Sequence, residues 1–272
     1  MKRILTTVIG LPIIICLFVF ANKYIIDVLF SIVLLFAMHE YFGCVKHGSK
    51  PIAWLGYALA IFVAFMHIIP VAIIKGLAII SIPTIFVVLF LYIIISNMNY
   101  SFDDIAITFT GILYLFSFTI FIPILYASRT NVANENGKIL IWYIIIASWG
   151  SDIFAYLIGR HGTHKFSKVS PNKTIEGCIA GVVAAVILSI TYTIIIQKVM
   201  NVTLFALPLI GAIAAILCAL GQVGDFAAST IKRYFKVKDF SNLVPGHGGI
   251  IDRIDSVIFM APFAYFLFIV LF

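Results

Sequence analysis

The chain has 272 residues, 63% of them hydrophobic and 11% charged, where a soluble globular domain carries about 45–50% apolar and about 25% charged residues. No soluble fold hides that much apolar surface, so an integral membrane protein embedded in a lipid bilayer is expected. The net charge of +7 then belongs first to loops beside a membrane, which removes the argument for a nucleic-acid partner.

A bilayer core of ~30 Å takes about 20 apolar residues per helix. Runs of that order lie at 4–20, 24–43, 52–69, 78–96, 107–127, 138–159, 176–196, 203–223 and 250–271, which predicts an all-α membrane protein of about nine transmembrane helices. Lys2, Arg3 and the first run also have the outline of a secretory signal ending at Val19-Phe20-Ala21. The run is long for a signal core and the next begins directly after Lys23, so a retained helical hairpin is expected. Pro70, ahead of the fourth run, and Pro83, inside it, weaken that run as a single helix. No room is left for a soluble domain. Residues 1–272 read as one polytopic domain, with 1–135 a helical scaffold and 136–272 carrying the catalytic helices and loops. Cys16, Cys44, Cys178 and Cys218 form no C-x-x-C pair, so neither zinc nor a disulfide framework is expected.

With the N-terminus inside, the cytoplasmic segments hold Lys2, Arg3, Lys46, Lys50, Arg160, Lys165, Lys168, Lys173, Lys232, Arg233, Lys236, Lys238 and Arg253, 13 of the 18 basic residues. The positive-inside rule therefore predicts a cytoplasmic N-terminus, and an odd number of spans places Phe272 outside. Two stretches facing the cytoplasm, 150–176 and 221–256, contain nine of the 18 bases and six of the 11 acids. In the N-terminal half, Glu40 and the Asp103-Asp104 pair read as wetted loop ends of the scaffold.

The chemistry is expected in those two stretches. Asp225 ends a nearly uncharged run, where an ionised carboxylate needs a cationic partner. If helix continues past it, Asp225, Ser229, Lys232 and Arg233 share one face at i, i+4, i+7 and i+8, and Asp152, Tyr156, Gly159 and Arg160 repeat the spacing. One stripe alone is equally an intrahelical brace with snorkelling cations; two stripes, each feeding a basic loop, point to a site. Gly246, Gly248 and Gly249 allow backbone N–H groups close to an anion. Asp252 and Asp255, at i and i+3, can face one cavity beside Asp225 and hold divalent cations through hard oxygens. The segment from Arg160 to Gly177 offers basic side chains, Ser170 and Thr174 to phosphate oxygens. His161 and His164 lack further ligands at zinc spacing.

The segment Ser229-x-x-Lys232-Arg233-x4-Lys238-Asp239-x5-Pro245-x-His247-Gly248-Gly249-x2-Asp252-Arg253-x-Asp255 is similar to the signature of the phosphatidate cytidylyltransferases, and Ser170-Pro-Asn-Lys-Thr-Ile-Glu-Gly177 resembles that family's second landmark. Asn172, Ile175 and Val244 stand where the family often has a lysine, an aromatic and a larger aliphatic residue. The resemblance covers roughly 140–272. It implies a polytopic, often dimeric enzyme that transfers the cytidylyl group of CTP to phosphatidic acid, with Mg2+ and potassium beside it as cofactors; the compact length adds the expectation of a bacterial inner (plasma) membrane. By the same likeness, Asp225, Asp252 and Asp255 are metal ligands, and Asp225, Asp252, Lys232 and Lys238 form the catalytic set. Ser229, Arg233, His247, Gly248, Gly249 and Arg253 contact substrate, and Ser170 and Lys173 close the cavity. Asp239 orients Lys238 or Arg253, and Asp152 and Glu176 either join the metal shell or hold basic residues. The alternatives are a CTP-dependent lipid kinase of the dolichol or phytol type and, outside enzymes, a transporter.

Overall fold

The computed structural model describes residues 12–46, 48–97, 99–128, 137–167, 169–171, 173–201, 205–243 and 248–270. Among them, helix dominates and no strand forms, with Lys165 and Thr174 joined by an isolated bridge. A chain this apolar has no water to satisfy its backbone inside a bilayer, and helix satisfies it within each segment. The helical segments are α1 (12–20), α2 (Lys23–Val45), α3 (Ala53–Val63), α4 (Val71–Ile95), α5 (Phe102–Ala127), α6 (Gly137–Gly159), α7 (Ile175–Met200), α8 (Leu207–Tyr234) and α9 (Ile251–Val270).

Each overlaps an apolar run, with α4 and α5 starting earlier (Val71, Phe102) and α8 ending later (Tyr234) than hydropathy alone places them. By length and composition, α2, α5, α6, α7, α8 and α9 are able to cross a membrane, while Ala53–Val63 and Ile80–Ile95 are shorter apolar helices. Local chemistry sets several ends. Asn22 accepts from Ile25 N at 2.9 Å, Ser101 and Asp104 close a capping box at the start of α5, and Thr174 accepts from Gly177 N at 3.2 Å, each satisfying a donor the first turn leaves unpaired. Pro70 is the N-cap of α4, and Pro83 lies inside it. Single π turns interrupt α5 at Leu113–Ser117, α6 at Ile146–Gly150 and α9 at Phe266–Val270.

The chain packs as two compact units. The first comprises 1–123 and 234–253. Here α2 is pinned to its neighbours by polar contacts: Tyr41 donates to Ile107 O (3.0 Å), and fully buried Asp27 pairs with His67 Nδ1 at 2.7 Å, while Ile52 N at the start of α3 donates to Thr108 Oγ1 on α5 (3.0 Å). Interhelical hydrogen bonds of this kind hold membrane helices together where lipid provides little hydrophobic drive.

The second unit comprises 124–233 and 254–272. Its helices meet through small residues. A Cβ at Gly177 would lie 2.8 Å from Ala155 O, and one at Gly224 would lie 2.6 Å from Asp255 O. Along α7, Gly177, Gly181, Ala184, Ala185 and Ser189 face inward while Ile179, Val183 and Ile187 are exposed, the close-packing pattern of small residues in membrane helices. Tyr143 and Thr193 hydroxyls bond at 2.8 Å, and Ser148 and Ser256 at 2.7 Å, so α6, α7 and α9 are tied by polar contacts.

Candidate active site

In the second unit, Lys173 and Asp225 form an ion pair, both half-buried. Lys173 Nζ also lies 4.6 Å from the centre of the Phe226 ring, and Phe226 stacks on Phe166 at 4.8 Å. The segment between α6 and α7 is thereby folded onto the last third of α8 within this unit. That segment has a built shape. Phe166 N donates to Lys173 O (3.0 Å), Ile175 N to His164 O (2.9 Å) and Lys173 N to Ser170 O (3.1 Å). Glu176 accepts from Thr163 N and His164 N, both at 3.2 Å, and from His164 Nδ1 at 2.7 Å.

Those bonds give Glu176 and Thr174 their roles. Glu176 clamps the turn at 162–164, where a Cβ on Gly162 would meet its Oε2 at 2.7 Å. Thr174 is buried, capping α7 and donating to Gly159 O at 3.2 Å. The other basic-loop histidine, His161, accepts at Nε2 from Arg160 Nε (2.9 Å).

Helix α8 runs to Tyr234, so Asp225, Ser229, Lys232 and Arg233 do lie on one continuous helix. Lys232 and Arg233 fall in its last turn, where cations meet the negative end of the helix dipole. Asp255 is buried at 7% exposure, its Oδ1 accepting from Ser256 N at 2.8 Å. It lies within electrostatic reach of Asp225, Asp152 and Lys232. Asp225 thus has Lys173 as its ion-pair partner and Asp255 within electrostatic reach.

In the first unit, Asp252 opens α9 and accepts through Oδ2 from Gly249 N (3.0 Å) and Phe240 N (3.2 Å). Gly248 adopts φ +84°, a backbone that side chains disfavour. Arg253, Lys238 and Asp239 are exposed, and Arg253 N donates to Ile250 O at 2.9 Å. His247, with Pro245 and Gly246, lies outside the described residues, as do Asn172 and Val244.

A further carboxylate, Glu40 of the N-terminal half, takes part in this segment. Glu40 on α2 is buried (3% exposed) and accepts from Ser241 Oγ (2.6 Å), Ile250 N (2.8 Å) and Ile251 N (3.0 Å). It is no wetted loop end. The available signal was the one applied to Asp225, an acid within an apolar run.

The donor chemistry suits magnesium, since carboxylate oxygens are the hard ligands it prefers. Among the described residues no group of three or more His, Cys, Asp or Glu side chains forms a ready cage. Magnesium commonly takes one or two carboxylates together with substrate phosphates, and the carboxylates present fit that mode.

A profile described as "Cytidylyltransferase family" matches residues 1–271, so the likeness seen at 140–272 extends through the N-terminal half. The chain is 35% identical to the phosphatidate cytidylyltransferase of Bacillus subtilis (strain 168) over 179 residues, 65% of this chain and 62% of that protein. It is 36% identical to the enzyme of that name from Staphylococcus haemolyticus (strain JCSC1435), over 64% of this chain and 63% of the relative. For the one from Staphylococcus aureus (strain COL) the identity is 37%, over 63% and 62%. The matched region thus spans somewhat less than two thirds of these relatives.

Proposed function

The chain belongs to the cytidylyltransferase family, and from that premise we propose that it transfers the cytidylyl group of CTP to phosphatidate, giving CDP-diacylglycerol and pyrophosphate. The observation that supports the reading is the Lys173–Asp225 pair, which brings a basic-loop lysine against an acid of α8 in the second unit. The names of the bacterial relatives supply the substrates.

The chemistry suits these residues. A phosphate oxygen of phosphatidate, already anionic at neutral pH, attacks the α-phosphorus of CTP; the new P–O bond forms as the bond to the β-phosphate bridging oxygen breaks, and pyrophosphate leaves with that electron pair. No strong general base is required, and the obstacle is repulsion between two polyanions. Lys232, Arg233, Lys238, Arg253 and His247 offset it by contacting phosphate oxygens, with Ser229, Ser170 and the backbone N–H of Gly248 orienting them, while the Gly249 N–H is committed to Asp252 Oδ2. By family likeness Asp225, Asp252 and Asp255 would hold Mg2+, with K+ as a second cofactor, and a bound magnesium would supply charge neutralisation and polarise phosphate oxygens. Lys173 alternates between Asp225 and a substrate phosphate.

The same proposal has nine spans with the N-terminus in the cytoplasm, the C-terminus outside and the site on the cytoplasmic side of the plasma membrane, in a homodimer. The basic-residue census supports the orientation, and family likeness supports the dimer. Purified protein given CTP, Mg2+ and phosphatidate is expected to form CDP-diacylglycerol, with Asp225→Asn and Asp252→Asn each slower by about a hundredfold or more, the scale of losing a metal ligand or its orientation. A wild type that forms none, or two variants that turn over at the wild-type rate, would overturn it.

A further inference from the structure

Glu40 stands on α2, far in sequence from the signature segment, yet its carboxylate receives three hydrogen bonds from it: Ser241 Oγ, Ile250 N and Ile251 N. Two of these donors are backbone groups at the N-terminus of α9, where N–H groups lack helical partners and the dipole favours an anion. The third lies on the other side of the turn, so Glu40 bridges both ends of residues 241–251. One turn further along α2, buried Cys44 lies within electrostatic reach of Asp252. Packing leaves Glu40 little freedom: a Cβ at Gly249 would come 2.6 Å from its Oε2 and 3.0 Å from its Oε1. Gly249 N and Phe240 N, the donors that orient Asp252 Oδ2, sit on the backbone that Glu40 holds.

We infer that Glu40 is a positioning residue for the proposed cytidylyl transfer: it fixes the glycine turn and first turn of α9, and through them the carboxylate of Asp252. The inference rests on the proposed function for its activity readout and on the geometry alone for its exchange readout. Glu40 itself touches no substrate. Its loss leaves Asp252 chemically intact but misplaced, so the protein needs more magnesium and turns over more slowly.

The test compares wild type, Glu40→Gln and Glu40→Ala, purified in detergent. Amide hydrogen exchange without magnesium or substrate reads the turn, and turnover across a magnesium titration reads its consequence. Expected are faster exchange at Ile250 and Ile251 in Glu40→Ala with the remaining helices as protected as in wild type. Turnover should fall by about tenfold or more, the scale of one lost charge-assisted hydrogen bond, and the magnesium needed for half-maximal rate should rise. Glu40→Gln, which keeps one carbonyl acceptor, should recover part of both. Unchanged exchange at Ile250 and Ile251 overturns the inference, as does a lower rate with an unchanged magnesium requirement, or loss of protection spread evenly over every helix. Should wild type make no CDP-diacylglycerol, the proposed function falls, and the exchange result still decides whether Glu40 holds the turn.

Discussion

Lys173 pairs with Asp225, a carboxylate within electrostatic reach of Asp255. Removing the lysine leaves those carboxylates with one cation fewer, and the cost appears in both folding and turnover. Lys173→Met is expected to slow CDP-diacylglycerol formation by about tenfold or more, since a charge-assisted hydrogen bond is worth ~1.5–3 kcal/mol. Combined with Asp225→Asn, the loss should be smaller than the sum of the two, because both variants break one contact. Additive losses in that cycle would mean that the pair is incidental. Gly249 makes a second residue-scale case. A methyl group there meets a glutamate that three hydrogen bonds hold still, so Gly249→Ala should lower stability by ~1–3 kcal/mol as overpacking does. Glu40→Ala should relieve part of that penalty, which thermal unfolding of the double variant measures.

At the scale of elements, composition already announced most helices, because a bilayer-length apolar run has few other options. Helix α8 was harder to read. Hydropathy ended it at 223, yet it continues to Tyr234. Gly224 packs against the backbone of Asp255, and Lys232 and Arg233 suit its C-terminal end, so helix persists where apolarity stops. The stripe from Asp225 to Arg233 was therefore legible in spacing, conditional on that extension. The Lys173–Asp225 pairing was not, since no local pattern reports which loop folds onto which helix across 52 residues. Glu40 escaped for the same reason, with its partners 201 to 211 residues away. The close approach of α7 to α6 offers a test at this scale. A Cβ at Gly177 faces two backbone atoms, Ala155 O at 2.8 Å and Gly159 Cα at 2.9 Å, which have little room to yield. Gly177→Ala should cost ~1–3 kcal/mol and slow turnover by loosening the segment that carries Lys173. A thermal midpoint equal to wild type would show that the helices have slack there.

For the molecule as a whole, the account requires the segment at 160–174 and the segment at 235–250 to face the same compartment. Their basic residues argue for the cytoplasm. Single cysteines placed at Lys165 and Lys238 in a cysteine-free background should react with a membrane-impermeant maleimide in inverted vesicles and resist it in right-side-out ones. Labelling from opposite sides would separate the two stretches and end the account. The central claim, that the assembled site moves a cytidylyl group, is tested most directly by following the α-phosphorus of CTP. With CTP labelled at that position, Mg2+ and phosphatidate, the purified protein is expected to place the label in lipid as CDP-diacylglycerol and to release unlabelled pyrophosphate. Label that stays in water-soluble CDP while the lipid gains an unlabelled phosphate would mark a lipid kinase, and would contradict it.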